Sequence, residues 1–288
     1  MEGSMSEYWI HLDGLERLAR QLRDDGKASP IIDRLIANSS FLSTVASTTS
    51  MDLPSIPWQD DIDLDDLDDE LSGVHHGLEV TYGITHSLAR LMRQIVKRSQ
   101  NISYYVSEDM PLPESLVTAC TMLSEAISQW SIESEPLSRL FLLDSNPQSR
   151  TSLLLARNHL LAFAHGLRVY YHTRIFPCDP QEMSHFVDLV AQRLIAIEEI
   201  KSKAQYDSNV AATITWPGFI ASCEAKQGQE RDIWSRWWNG MLRHRIGNIP
   251  HLWNIVQKAW ALRDDEGSTE VPGWMPALRV TGKRVLAI

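Results

Sequence analysis

Cysteine is scarce in this 288-residue sequence: Cys120, Cys178 and Cys223 are an odd number, set far apart. No two stand at C-x-x-C spacing, so neither a zinc site nor a disulfide framework can be assembled from them. That usage fits a reducing compartment. Positive charge is also in deficit, with a formal net charge of -10. An acidic surface repels phosphate, which predicts no direct nucleic-acid contact by this chain. Long apolar runs are missing as well. The start, MEGSMSEYW, lacks the apolar stretch of a secretory signal. The most apolar segment, 153–171, is interrupted by Arg157, Asn158, His159 and Arg168, which a membrane span tolerates poorly. No G-x-S-x-G, dinucleotide fingerprint, P-loop or H-E-x-x-H occurs, and no cofactor or metal is expected.

What the sequence has is helical periodicity. Tyr8, Leu12, Leu15, Ala19 and Leu22 step by four and three, and Asp24-Asp25-Gly26 closes that pattern. Leu116, Cys120, Leu123, Ile127 and Trp130 repeat it, as do Met183, Val187, Val190, Leu194 and Ile197. Ile84, Leu88, Leu91 and Ile95 form a shorter stripe opposite Arg90, Arg93, Lys97 and Arg98. Residues 150–171 are apolar nearly all round, which predicts a central buried helix with Ser149 or Ser152 as its cap. No alternating-strand pattern or repeat appears. The expected fold is all-α, an irregular multi-helix orthogonal bundle forming a single helical domain over 1–288.

Hydrophobic content of 43% is enough for a sizeable core, and tryptophan is abundant within it. Seven of the ten tryptophans fall between Trp216 and Trp274. This stretch reads as three helices, with Pro217 in the first turn of one. Ile233, Trp237 and Met241 line the next. Leu252, Val256 and Ala259 line a third that begins after Pro250. The final WMPALRVTGKRVLAI reads as a packed tail with a short extended piece. Indoles fill core volume and also line pockets for flat apolar ligands, so Trp216, Trp237, Trp238 and Trp260 are candidates for a ligand or partner pocket. Trp237 and Trp238 are adjacent, which predicts that one of them faces a groove or a partner.

One segment departs from this pattern. Residues 59–70 read QDDIDLDDLDDE. Like charges repel and stay solvated, giving an acidic loop between helical blocks. The interleaved Trp58, Ile62, Leu64 and Leu67 also suit a segment that folds onto a protein partner.

Candidate chemistry is sparse. His165 and His172 lie seven apart with Arg168 between them, roughly 10 Å along one helix face. That spacing favours satisfied polar groups over a metal site. His75 and His76 are neighbours in a loop. Glu224 and Arg231 bracket the turn at Gly228 and are expected to pair across it, with Arg263 as a second partner for Glu224. This ion pair is read as structural. The catalytic alternative would use His165, Arg168 and Glu224.

These residues also carry a likeness. WPGFIASCEA, then Arg231, then Gly247-Asn248, then a helix ending Ala259-Trp260 followed by Arg263-Asp264, resembles the C-terminal hallmark of the fungal-specific transcription factor domain of binuclear zinc-cluster regulators. Trp274 fills the place of the last tryptophan. YWIHLDGLERLARQL and RIFPCDPQEMSHFVDLVAQRL resemble earlier parts of that domain, so the likeness spans most of the chain. The six-cysteine cluster and basic linker of such regulators have no match, and the sequence is expected to begin inside the domain. The resemblance implies a nuclear regulatory and interaction domain without its own DNA-binding module, contacting a protein partner or a second copy and sensing a small apolar ligand. A second reading is a pocket enzyme of cyclase or isomerase type, derived from this domain in fungal secondary metabolism. It needs shape and a few dipoles more than a nucleophile.

Overall fold

The structure, a computed structural model, describes residues 8–24, 29–51, 58, 78, 82–135, 147–203, 215–266, 273–282 and 285–287. Among them are ten α-helices, two single 3-10 turns and no strand. The acidic run 59–70 and the pair His75-His76 lie outside the described residues.

The first two helices are α1 (Tyr8–Asp24) and α2 (Pro30–Thr48). The periodicity reading found α1 and missed α2. Six hydroxyl residues between Ser39 and Thr48 hide its stripe from a simple apolar count. In the helix Ser39, Thr44, Ser47 and Thr48 return their hydroxyl protons to carbonyls three or four residues back, so they sit on the helix at little cost. Ala37, Phe41, Val45 and Thr48 then form the buried face. The start is locally encoded: Ser29 Oγ accepts from Ile32 N at 3.3 Å, and Pro30 opens the first turn.

Helices α3 (His86–Ser107) and α4 (Glu114–Gln129) bury the stripes read from the sequence. α5 (Pro147–Arg174) is the central helix and α6 (Pro180–Lys203) its long neighbour. α5 packs against α3, α4, α6 and the first Trp-block helix. Its start lies earlier than expected. The helix begins at Pro147, so Ser149 and Ser152 are inside it and neither is the cap. Proline's fixed φ suits a first helical position. Two tyrosine hydroxyls tie α5 to its surroundings: Tyr170 donates to the Thr48 carbonyl at 3.0 Å and Tyr171 to the Cys120 carbonyl at 2.9 Å.

The C-terminal part comprises α7 (Trp216–Cys223), α8 (Gln229–Met241), α9 (Ile249–Glu266) and α10 (Trp274–Thr281). The expected packed tail is therefore largely a helix. Pro276 falls in the first turn of α10, where its missing N–H breaks no intrahelical bond. Gly282 stops that helix at φ 61°, a conformation glycine adopts without strain. Val285 and Ala287 follow as a buried end. One connected set of buried side chains runs from Phe41 on α2 to Ala287.

Candidate functional site

All eight residues of α7 are buried, because α7 is wedged among α5, α6 and α9. Two glycines permit that approach. A Cβ at Gly166 on α5 would lie 3.1 Å from Pro217 Cβ and 3.2 Å from the Trp216 ring. A Cβ at Gly218 would lie 2.5 Å from Trp237 Cη2. The Trp216 ring stacks on Phe163 (5.8 Å, 12°) and meets Tyr170 edge-on (5.7 Å, 72°). Its indole N–H donates to Thr48 Oγ1 at 2.9 Å, so α2 serves α7 as a polar partner deep in the core.

From α8 onward the tryptophans form a chain of ring contacts. Trp234 and Trp237 meet edge-on at 5.6 Å, and Trp237 and Trp238 at 4.9 Å. Trp238 stacks on Trp253 (5.9 Å, 18°), and Trp253 meets Trp260 edge-on at 5.3 Å. Contrary to expectation, neither member of the adjacent pair faces outward: Trp237 is 7% exposed and Trp238 fully buried. Successive helical side chains diverge by about 100°, and α8 is covered on both sides. Trp237 lies over Gly218, while Trp238 donates its N–H to Ser222 Oγ at 3.1 Å. Trp260 donates to the Ser222 carbonyl at 2.7 Å. The four candidate pocket residues thus pack into the core.

Glu224 caps α7 and is engaged at both carboxylate oxygens. Oε2 accepts from Arg263 at 2.8 Å, and Oε1 accepts from the Gly273 N–H at 2.8 Å. The expected Glu224–Arg263 pair forms; the expected Glu224–Arg231 pair does not. Arg231 instead makes a bidentate pair with Asp264, at 2.6 and 2.9 Å, and lays its guanidinium 5.2 Å from the Trp260 ring centroid. The Arg231 bond holds the Asp264 carboxyl below its ordinary range. Arg263 and Asp264 are consecutive on α9, so α9 supplies one partner to each residue flanking the Gly228 turn. Spacing along the chain placed Glu224 near Arg231 and could not reveal this exchange. Gly273 was also missed: a Cβ there would lie 2.5 Å from an Arg263 nitrogen and 2.9 Å from the Cys223 carbonyl.

The other candidate group lies in the seam between α5 and α6. His165 Nδ1 is 3.1 Å from Arg168 Nη1. A guanidinium only donates, so Nδ1 accepts and the imidazole proton sits on Nε2. Burial first, then Arg168, Arg193 and His185, push the His165 pKa down to about 4. Arg168 lies 5.8 Å from the Phe186 ring centroid, and His172 stacks on the same ring (5.8 Å, 4°) while bonding the Phe176 carbonyl at 2.9 Å. Further along, burial and Lys201 push His159 down to about 3. The structure thus joins His165 to Arg168 and gives Glu224 a separate set of partners. Lys201 and Arg193, absent from the sequence reading, belong to this seam; their place on α6 opposite α5 emerges only once the two helices pair.

Among the described residues no three His, Cys, Asp or Glu side chains converge on one point. None of the described helices is long and apolar enough to cross a membrane. Cys120 and Cys223 are buried thiols, with burial raising Cys120 to about 11 and Cys223 well above the ordinary value.

Comparison with known proteins agrees with the C-terminal likeness. The family described as the fungal specific transcription factor domain matches residues 1–286. Arginine metabolism regulation protein II of Saccharomyces cerevisiae is 21% identical over 261 residues, covering 88% of this chain. The chain spans 29% of that relative's length. No solved structure matches.

Proposed function

Because the chain belongs to the family of fungal specific transcription factor domains, we propose that it is the regulatory and interaction part of a fungal transcription regulator, acting in the nucleus and responding to a small ligand. The carrying observation is the family match over 1–286. In this reading DNA is held by a module other than these helices. Three cysteines and a net charge of -10 support that division of labour. The yeast relative's name is that of a metabolic regulator, which supports regulation as the shared role. A protein partner or a second copy of the chain receives the output, and the acidic run 59–70 is the segment best suited to such a contact.

The test is a tethering experiment. Residues 1–288 are fused to a heterologous DNA-binding module and a reporter is read in a fungal nucleus. The fusion should change output relative to the module alone, and deleting 59–70 should alter that change. Output equal to that of the bare module would count against the reading.

A further inference from the structure

Helices α5 and α6 are joined by a short link and run antiparallel, as the pairs His172–Phe186, His165–Arg193 and His159–Lys201 show. Two of the seam's cations, Arg168 and Arg193, meet no acid among the described residues. Arg168 and Arg193 are both half-buried. Arg193 Nε is shut off from water with no hydrogen-bond partner among the described residues. Among the described residues neither guanidinium makes an ion pair. Arg231 and Arg263 of the Trp block behave differently, since each has its carboxylate. Asp188 makes no ion pair among the described residues, and burial and then Glu230 raise its pKa. Glu230 takes the Ser184 hydroxyl and the Lys226 N–H. Glu198 holds Lys201 and His244.

Partly withdrawing two guanidiniums from water with no counter-charge among the described residues is costly. The neighbouring imidazole cannot relieve it, because it stays neutral and accepts from Arg168. Its effect is to fix one edge of that guanidinium, and the Phe186 ring holds its face. The result is a positioned fork with a second cation acting on the same imidazole, an arrangement suited to oxyanions.

We propose that the α5–α6 seam is a binding site for a small oxyanion, a carboxylate or phosphate monoester, held by Arg168 and Arg193, with His165 positioning Arg168 and Phe186 as the apolar floor. The cellular meaning of the site rests on the regulatory reading above; binding itself is tested without it.

Calorimetric titration of the whole chain with inorganic phosphate and, separately, with succinate tests the site, against sodium chloride at matched ionic strength. Saturable binding of at least one probe is expected, and comparing the two separates phosphate from carboxylate preference. Arg168→Gln and Arg193→Gln should each weaken it about tenfold or more, and Arg193→Lys should weaken it less. Without any probe, Arg193→Gln should melt no lower than the parent, since it removes a cation that has no partner. No saturable binding beyond chloride, or equal binding by the Arg168→Gln/Arg193→Gln double variant, overturns the site. A lower melting point for unliganded Arg193→Gln also counts against it. In the tethered reporter, a chain that binds the anion but gives no output defeats the regulatory reading and leaves the site standing. Output that persists without any anion binding does the reverse.

Discussion

Glu224 and Arg263 meet at 2.8 Å, and the other oxygen of the same carboxylate receives the Gly273 N–H. One side chain at the end of α7 therefore locks α9 and the entry to α10 together. Charge-assisted bonds to a buried acceptor cost most when one side is removed. Glu224→Ala strands the Gly273 N–H and frees Arg263, and is expected to lower stability by about 2–4 kcal/mol. Because Arg263 is partly exposed, Glu224→Gln, which keeps one acceptor for Gly273, should cost less. Asp264→Asn should cost less than Glu224→Ala, because the Asp264 carboxylate is exposed even though Arg231 is mostly buried. Urea unfolding of the three variants gives the order; equal losses in all three would refute the lock.

Gly218 is fixed by Trp237, whose ring occupies the space where a side chain would begin. Gly218→Ala pushes a methyl group against that ring and should destabilise by about 1–3 kcal/mol. Shortening the obstacle should relieve it, so the double variant Gly218→Ala/Trp237→Leu should lose less than the sum of its single changes. A double-mutant cycle by chemical denaturation measures this. Strict additivity would mean that the glycine serves something other than the approach of α8.

The helices carrying a clean apolar stripe were legible because periodicity survives whatever they pack against. Leu116, Cys120, Leu123 and Ile127 are all buried on α4, as their spacing requires. Helix α2 was hidden because its inward face includes Thr48, a residue that reads as polar until the Trp216 N–H supplies its hydroxyl with a role. The partner exchange at the Gly228 turn was hidden for another reason. Glu224 and Arg231 are near in sequence, yet α9 offers each a better-placed opposite charge, and only the fold sets α9 against both. Trp237 and Trp238 were misread because adjacency limits burial on a helix with one covered face, and α8 has two. Of the seam, His165 and Arg168 were visible as polar breaks in an apolar run. Arg193 lies on another helix and carried no local signal.

Thr48 shows how far the Trp block depends on the N-terminal helices. Its hydroxyl accepts the Trp216 N–H at 2.9 Å within a fully buried environment. Thr48→Val keeps the shape and removes the acceptor, leaving an indole N–H with no partner. The expected loss is about 1–3 kcal/mol, the cost of an unmet buried donor. Thr48→Ser restores the acceptor and should recover most of that loss. Near-ultraviolet circular dichroism should show the Trp216 environment altered in the valine variant and parent-like in the serine variant. If valine and serine behave alike, the bond contributes nothing and the methyl packing is what matters.

Acid should loosen the α5–α6 seam before it affects the Trp block. His159 and His165 are held at about 3 and about 4, burial being the main cause in both. A histidine whose folded value lies below its unfolded one binds protons preferentially in the unfolded chain. Its contribution to stability is therefore fully present above the unfolded value and is lost as pH falls toward the folded one. Between pH 7 and pH 5 each of the two should withdraw on the order of 1–2 kcal/mol, taking the unfolded imidazole near 6.5. His159→Gln removes one titrating group, so its urea midpoint should fall less over that interval than the parent's, whatever its stability at pH 7. Hydrogen exchange followed over the same interval should report loss of protection first in α5 and α6, with α7 and α9 retained longer. Parallel pH profiles for parent and variant would show that the imidazole at position 159 is not held neutral by burial.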